Sequence, residues 1–239
     1  MAVCIHQIYY DDAQRAALDP AFSPYDNREN LRPEWREYHV FRTEWLAGRC
    51  RAGDVTGFLS WKFGAKTGIA GRAFVEFVER HPGHDVYFVN PNRVEPRPFT
   101  GIWQQAEVHH PGIIGLAQRI FDQVGVAVDL ATLEQPREQV LFCNYWAGTR
   151  RFWDEYMAFC EPVHRQILSG LDAADRALAW SRADREIDAP YVPFIMERLF
   201  STFLALRPDL RSRSFDLERY LRANRRPWWR RLLRRRRAA

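Results

Sequence analysis

Residues 57–68, GFLSWKFGAKTG, carry the ingredients of an anion-binding loop: glycines, a threonine, and two lysines four positions apart. A P-loop needs glycine, four residues, then Gly-Lys-Ser/Thr. Here Ala65 stands between Gly64 and Lys66, and Gly57 lies too far upstream for a tight backbone nest. The stretch is not a Walker loop. What survives is its context of strand, glycine-containing loop and helix, which aims backbone N–H groups and a helix N-terminus at an anion. Lys62 and Lys66 are the only lysines among 35 basic residues. An ammonium is a compact point charge where a guanidinium is a planar fork. The pair reads either as two solvated lysines or as contacts to a pyrophosphate or an acidic substrate.

Six other groupings have residue types that suit a ligand crevice. Tyr9, Tyr10 and Asp11 close the first apolar run, where an open α/β sheet places its crevice; the aromatics suit a base and the acid a ribose or an incoming hydroxyl, or all three simply pack the strand end. Asp26-Asn27-Arg28-Glu29-Asn30 is a polar cluster that either caps its own loop or recognises sugar hydroxyls. Asn90-Pro91-Asn92 closes another strand, where a metal-dependent nucleotide-sugar transferase would usually put Asp-x-Asp against the diphosphate. No Asp-x-Asp occurs anywhere in the chain. His109 and His110 are adjacent, so in an extended segment they point opposite ways and cannot easily share a metal. One of them suits a substrate contact or a loop-locking role. Asn144 follows Cys143 at the end of a further strand and faces the expected crevice, while Cys143 reads as a small core residue. Glu197-Arg198 sits mid-helix among apolar residues, either on a solvated stripe or as a buried functional carboxylate with its neighbour.

The elements that must position these residues follow from periodicity. Strands are expected over 3–10, 54–60, 85–91 and 138–148. Helical spacing covers 34–48, 71–81, 113–125, 150–168 and the run from Pro193 to Leu206. Residues 21–34 and the stretch carrying AEVHHPG read as loops. Strands alternating with helices predict an α/β domain with a largely parallel sheet.

The charge is uneven. The chain of 239 residues carries a net +5, yet ten arginines and no acid lie from Arg219 onward. The rest holds 25 basic and 30 acidic residues, a net −5. An acidic body argues against nucleic acid as the main partner. The tail over 219–237 sets Trp228, Trp229, Leu232 and Leu233 among arginines, the composition of an interfacial helix on an anionic membrane; nucleic-acid binding and a solubilising tail are its competing readings. Four scattered cysteines with no CxxC pair suit a reducing compartment. With no leader pattern and no apolar run long enough to span a bilayer, the expected location is cytoplasmic, peripheral on the membrane's inner face.

Taken in order, DNRENLRPEWREYHVFR, GFLSWKFGAKTG, DVYFVNP, HHPG, FCNYWAG, RFWDEYM and PFIMERLFS resemble bacterial proteins encoded among surface-polysaccharide glycosyltransferases. More distantly they resemble the capsular-polysaccharide glycosyltransferase-like family. The resemblance spans roughly residues 3–206 and rests on motif order. It implies a GT-A-like, Rossmann-like nucleotide-sugar-binding domain over 1–208, followed by a basic helical tail over 209–239. It further implies transfer of a sugar from a nucleotide-diphosphate donor to a glycan or lipid-linked acceptor. On that reading Tyr9 and Tyr10 hold the base, with Asn27 and Asn144 among the substrate contacts. Lys62, Lys66 and Arg198 neutralise the diphosphate in place of a metal, and Glu197 or Asp26 acts as base. The missing Asp-x-Asp leaves two alternatives open: divalent-metal dependence, and a non-catalytic glycan- or partner-binding module docked on the membrane.

Overall fold

Residues Val3–Tyr9 (β1) and Val55–Ser60 (β3) pair in parallel within a six-stranded sheet. This computed structural model describes residues 1–91, 99–183 and 188–224; Asn92 and residues 225–239 of the tail lie outside them. The other strands are β2 (Ser23–Asp26), β4 (Val86–Phe88), β5 (Trp146–Thr149) and β6 (Ser212–Ser214), in the order β2-β1-β3-β5-β4-β6. β5 runs antiparallel to both of its neighbours, and the other five strands share one direction.

The helices are α1 (Asp12–Ala16), α2 (Glu37–Leu46), α3 (Phe63–Thr67), α4 (Gly71–Arg80), α5 (Ile102–His109), α6 (Ile113–Gln123), α7 (Arg150–Arg165), α8 (Ala173–Ala179), α9 (Tyr191–Leu206) and α10 (Leu217–Asn224). They cover both faces of the sheet. Because side chains alternate along a strand, neighbours fall into different cores. Phe58, Trp146 and Phe88 join one core with α2, α5, α6, α7 and α9. Leu59, Ala147 and Tyr87 join the other with α3, α4 and α10. A central strand covered on both sides reads as a continuous buried run, and all six residues of β3 are buried.

Gly57 permits a close approach between β3 and β5. A Cβ there would lie 2.8 Å from the Trp146 carbonyl oxygen and 2.9 Å from the Ala147 Cβ. Glycine is what lets β5 lie against β3. The exit from α2 is also a glycine matter, since Gly48 follows the helix with φ +73°, the left-handed conformation that ends helices.

The α/β class and the mostly parallel sheet agree with the sequence reading, and several elements differ from it. β2 lies inside the stretch expected as loop; it is an edge strand with no buried residue, so it has no apolar signature. α5 occupies part of the expected polar loop. The fourth expected strand is short, starting only at Trp146, and its direction is reversed. β6 and α10 lie past residue 208 and pack onto the sheet, β6 against β4 and Leu217 in the core. No helix among the described residues is long and apolar enough to cross a membrane.

Candidate active site at the strand ends

The chain leaves β1 toward β2 on one side and returns to β3 on the other, so the strand order reverses between β1 and β3. Ligands of open α/β sheets bind at such a reversal, beyond the carboxyl ends of the strands. A cleft of about 430 Å³ opens there. Tyr10 enters it from the end of β1, Ser60, Trp61 and Lys62 from the end of β3, and Lys66 from α3. Gln7 fixes the spacing of these walls. Its side-chain amide donates to the Ser60 and Trp61 carbonyls at 3.4 and 3.2 Å and accepts from the Asp19 N–H at 2.8 Å.

Asn144 and Tyr145 reach the same cleft because β5 is antiparallel: its beginning lies where the other strands end. Asn144 lines the cleft from just ahead of β5, a strand that runs opposite to its neighbours. The turn before it is strained, with Cys143 at φ +64°. Non-glycine residues hold that conformation only where their surroundings over-determine it, and such residues cluster at functional sites. Two groups hold this one. Glu197 on α9 accepts the Cys143 N–H through Oε1, and Lys66 Nζ donates to Cys143 Sγ at 3.1 Å.

Glu37, the first residue of α2, also lines the cleft. Burial raises its carboxyl above the ordinary range. Its own backbone N–H opposes this, Glu197 adds to it, and Lys66 and Arg36 oppose it. Burial also pushes the Cys143 thiol up to about 11, with help from Glu197, so the sulfur is a neutral acceptor near pH 7. For Lys66, burial favours the neutral amine, but Cys143, Glu197 and Glu37 outweigh it and its pKa is raised. Lys66 is therefore a firm cation between two acids. Lys62 projects from the end of β3 with Nζ 5.2 Å from the Trp61 ring centroid, a cation–π distance.

The remaining candidates go elsewhere. Arg198 follows Glu197 by one position, about 100° around the helix, and turns into the core. It is buried and donates to the Phe194 and Ile102 carbonyls at 2.8 and 3.4 Å and to Gln105 Oε1 at 3.1 Å. Burial lowers its pKa to about 10. Tyr9 points to the opposite side of β1 from Tyr10, with Arg28 5.8 Å from its ring centroid. Asp11 caps α1 by accepting the Gln14 N–H at 2.7 Å. His110 is buried at the end of α5, stacked on Phe194 at 3.9 Å, while His109 is exposed. The acid of that motif, Glu107, accepts the Gly112 and Ile114 N–H groups at 2.6 and 2.9 Å and so caps α6. Asn90 lines a separate hollow beside α10.

Asp26 and Asn27 line a second hollow, of about 380 Å³, on the far side of the loop that leads to α2. Arg28 holds Asp26 at 2.6 Å and keeps its carboxyl well below the usual carboxylate range. Asn27 joins the two hollows: its N–H donates to the Tyr9 carbonyl at 3.0 Å, and its side chain reaches the Tyr10 hydroxyl.

Glu37 and Arg36 are cleft residues that the sequence reading passed over, and Asn30 is the member of the Asp26–Asn30 cluster that lines the cleft. The available signal was an acid entering an aromatic helix directly after an Asn-rich, Pro-containing loop. Enzymes that bind nucleoside diphosphates in folds of this class often hold a divalent cation between carboxylates. The donor set here does not fit one. Each of the two cleft carboxylates is engaged with a backbone N–H, Glu197 with that of Cys143 and Glu37 with its own, and both share the cleft with two ammonium groups. Among the described residues, no group of three His, Cys, Asp or Glu side chains is arranged to hold a metal ion.

Comparison with known proteins bears on the fold. No family model and no curated protein matches the chain. Among solved structures it is similar to the apo form of WbbM, a bifunctional glycosyltransferase, with a TM-score of 0.56 at 12% identity. The match covers 90% of this chain and 44% of that one. The likeness shows a glycosyltransferase-like fold; the chain spans less than half of the WbbM structure.

Proposed function

We propose that this protein transfers a sugar from a nucleotide-diphosphate donor to a glycan or lipid-linked acceptor. The observation that carries the reading is the convergence of the chain's two lysines, Lys62 and Lys66, on a strand-end cleft that also holds two carboxylates and Asn144. The fold likeness supports it. Tyr10 offers a face for the base at the end of β1. Lys62 and Lys66 take the charge that develops on the departing nucleoside diphosphate, in the manner of preorganised electrostatic stabilisation. Asn30 and Asn144 are amide groups suited to sugar hydroxyls. A cleft carboxylate receives the acceptor's proton. The Trp- and Arg-rich sequence beyond residue 224 holds the enzyme at an anionic membrane face, where a lipid-linked acceptor for surface-polysaccharide assembly would lie.

The test is a thermal-shift screen of the full chain against UDP-, GDP-, CMP- and dTDP-sugars, with and without Mn²⁺. A donor at 100 times its dissociation constant adds about 2.7 kcal/mol of stability. Stabilisation by one nucleotide class irrespective of metal is the expected result. No shift with any donor would remove the transferase reading in favour of a binding module of the same fold.

A further inference from the structure

The geometry points to a division of labour between the two cleft carboxylates: Glu37 takes the acceptor's proton, and Glu197 is a positioning residue that holds the Cys143–Asn144 turn. This inference rests on the transferase reading above.

Glu197 is already committed. Its Oε1 accepts the N–H of a residue held at positive φ, on a turn 54 positions away in the chain. The turn it holds presents Asn144 to the cleft. Removing that acceptor would leave Cys143 in a strained conformation with only the Lys66 contact to its sulfur.

Glu37 is placed differently. It opens α2 and lines the cleft. The backbone hydrogen bond its carboxyl takes comes from its own N–H and not from another segment, and its surroundings favour the protonated form, so the ionised form is a stronger base than an exposed glutamate. The groups that face it come from every wall. Arg36 precedes it, Lys66 lies on α3, Glu197 on α9, and Cys143 and Tyr145 on the turn before β5. Tyr10 faces it from the end of β1.

The step is a single displacement. The acceptor's hydroxyl oxygen bonds to the anomeric carbon as the bond from that carbon to the phosphate oxygen breaks. The hydroxyl proton passes to a Glu37 carboxylate oxygen. The electron pair leaves with the nucleoside diphosphate, whose charge rests against Lys62 and Lys66.

Two readouts on the full chain test this. The first uses UDP-glucose, UDP-galactose, GDP-mannose and dTDP-glucose, with calorimetry for donor affinity and nucleoside-diphosphate release for turnover, to water or to added glycan. Glu37→Gln should cut turnover by about 10²- to 10⁴-fold, the range for general acid–base catalysis, and leave donor binding in place. Glu197→Ala should lose turnover, and Glu197→Gln, which keeps an acceptor oxygen for the Cys143 N–H, should restore most of it. The second readout is alkylation of Cys143 by iodoacetamide, followed by peptide mass spectrometry. It should accelerate most in Glu197→Ala, which loses both the charge and the acceptor that hold the turn, and clearly less in Glu197→Gln and Glu37→Gln, which lose only a charge that raises the thiol. A Glu197→Gln variant as inactive as Glu37→Gln, or a fully active Glu37→Gln, overturns the division. A wild-type protein that neither binds nor turns over any of the four donors overturns the transferase reading and the proton role with it. In that case the alkylation rates still decide whether Glu197 positions the turn.

Discussion

Two acids, Asp26 and Glu37, stand eleven positions apart at either end of one loop, and the protein treats them in opposite ways. Asp26 is exposed in the outer hollow, and Arg28 satisfies it from two residues along the chain. Its ionised form is stabilised so far that it is a poor proton acceptor. Glu37 lies in the inner cleft, where burial and Glu197 act against its charge. The difference is one of topology. Asp26 ends an edge strand, whereas Glu37 starts a helix packed between the sheet and α9. Local sequence supplied Asp26 with its own counter-ion; distant segments set the environment of Glu37.

The largest effects should separate the two hollows. Lys62→Ala and Lys66→Ala should each weaken donor binding by roughly 10- to 100-fold, the scale of a lost charge-assisted hydrogen bond, as read by titration calorimetry. Equal weakening by Arg28→Ala would shift the donor site to the outer hollow. A smaller effect concerns stability. With its pKa raised in the folded state, Glu37 contributes stability that is fully present below its unfolded pKa, near 4.5, and is lost as pH rises through the raised value. Glu37→Gln should therefore raise the melting temperature at pH 7 and lose that advantage at pH 4. A fall at pH 7 would mean that the carboxylate is held by stabilising partners, as Asp26 is.

The cleft wall supplies a third check. Trp35 and Tyr38 line the cleft, and behind them His164 packs 4.4 Å from the Trp35 ring centroid. Burial lowers the pKa of His164 to about 4, with Arg42 adding to the effect. A depressed histidine gives stability present above its unfolded value of 6.5 and lost as pH falls through the folded one. Urea midpoints should therefore drop between pH 6.5 and 4, and His164→Gln should flatten that drop. The smallest effect belongs to the outer hollow: Asp26→Asn should change turnover by no more than about twofold, as for other exposed pairs. A hundredfold loss would make Asp26 the base after all.

Much of the fold was legible because it rests on local periodicity. The buried run of β3, the amphipathic spacing of α4, α6 and α7, and the glycine after α2 are all readable without neighbours. The direction of β5 was not, since it depends on which strands a segment finds. β2 was hidden because an exposed edge strand carries no apolar pattern. In the site, Lys62 and Lys66 were visible as chemical exceptions in an arginine-rich chain. Glu197 and Arg198 looked like a pair, but adjacent helical residues point about 100° apart, so one reached the cleft and the other the core. Glu37 was passed over, although an acid opens an aromatic helix there, because the groups that set its environment, Lys66 on α3 and Glu197 on α9, come from far along the chain.

The close approach at Gly57 also gives a criterion for kinship. A substitution there cannot be absorbed by a side-chain rotation, because the nearest atoms belong to the backbone of β5 and to the Ala147 Cβ. β5 would have to move away, and Asn144 at its head would move with it. Any homologue that keeps this cleft must therefore be glycine at the aligned position. One that carries a larger residue there has rebuilt its ligand site, however similar the rest of its sequence.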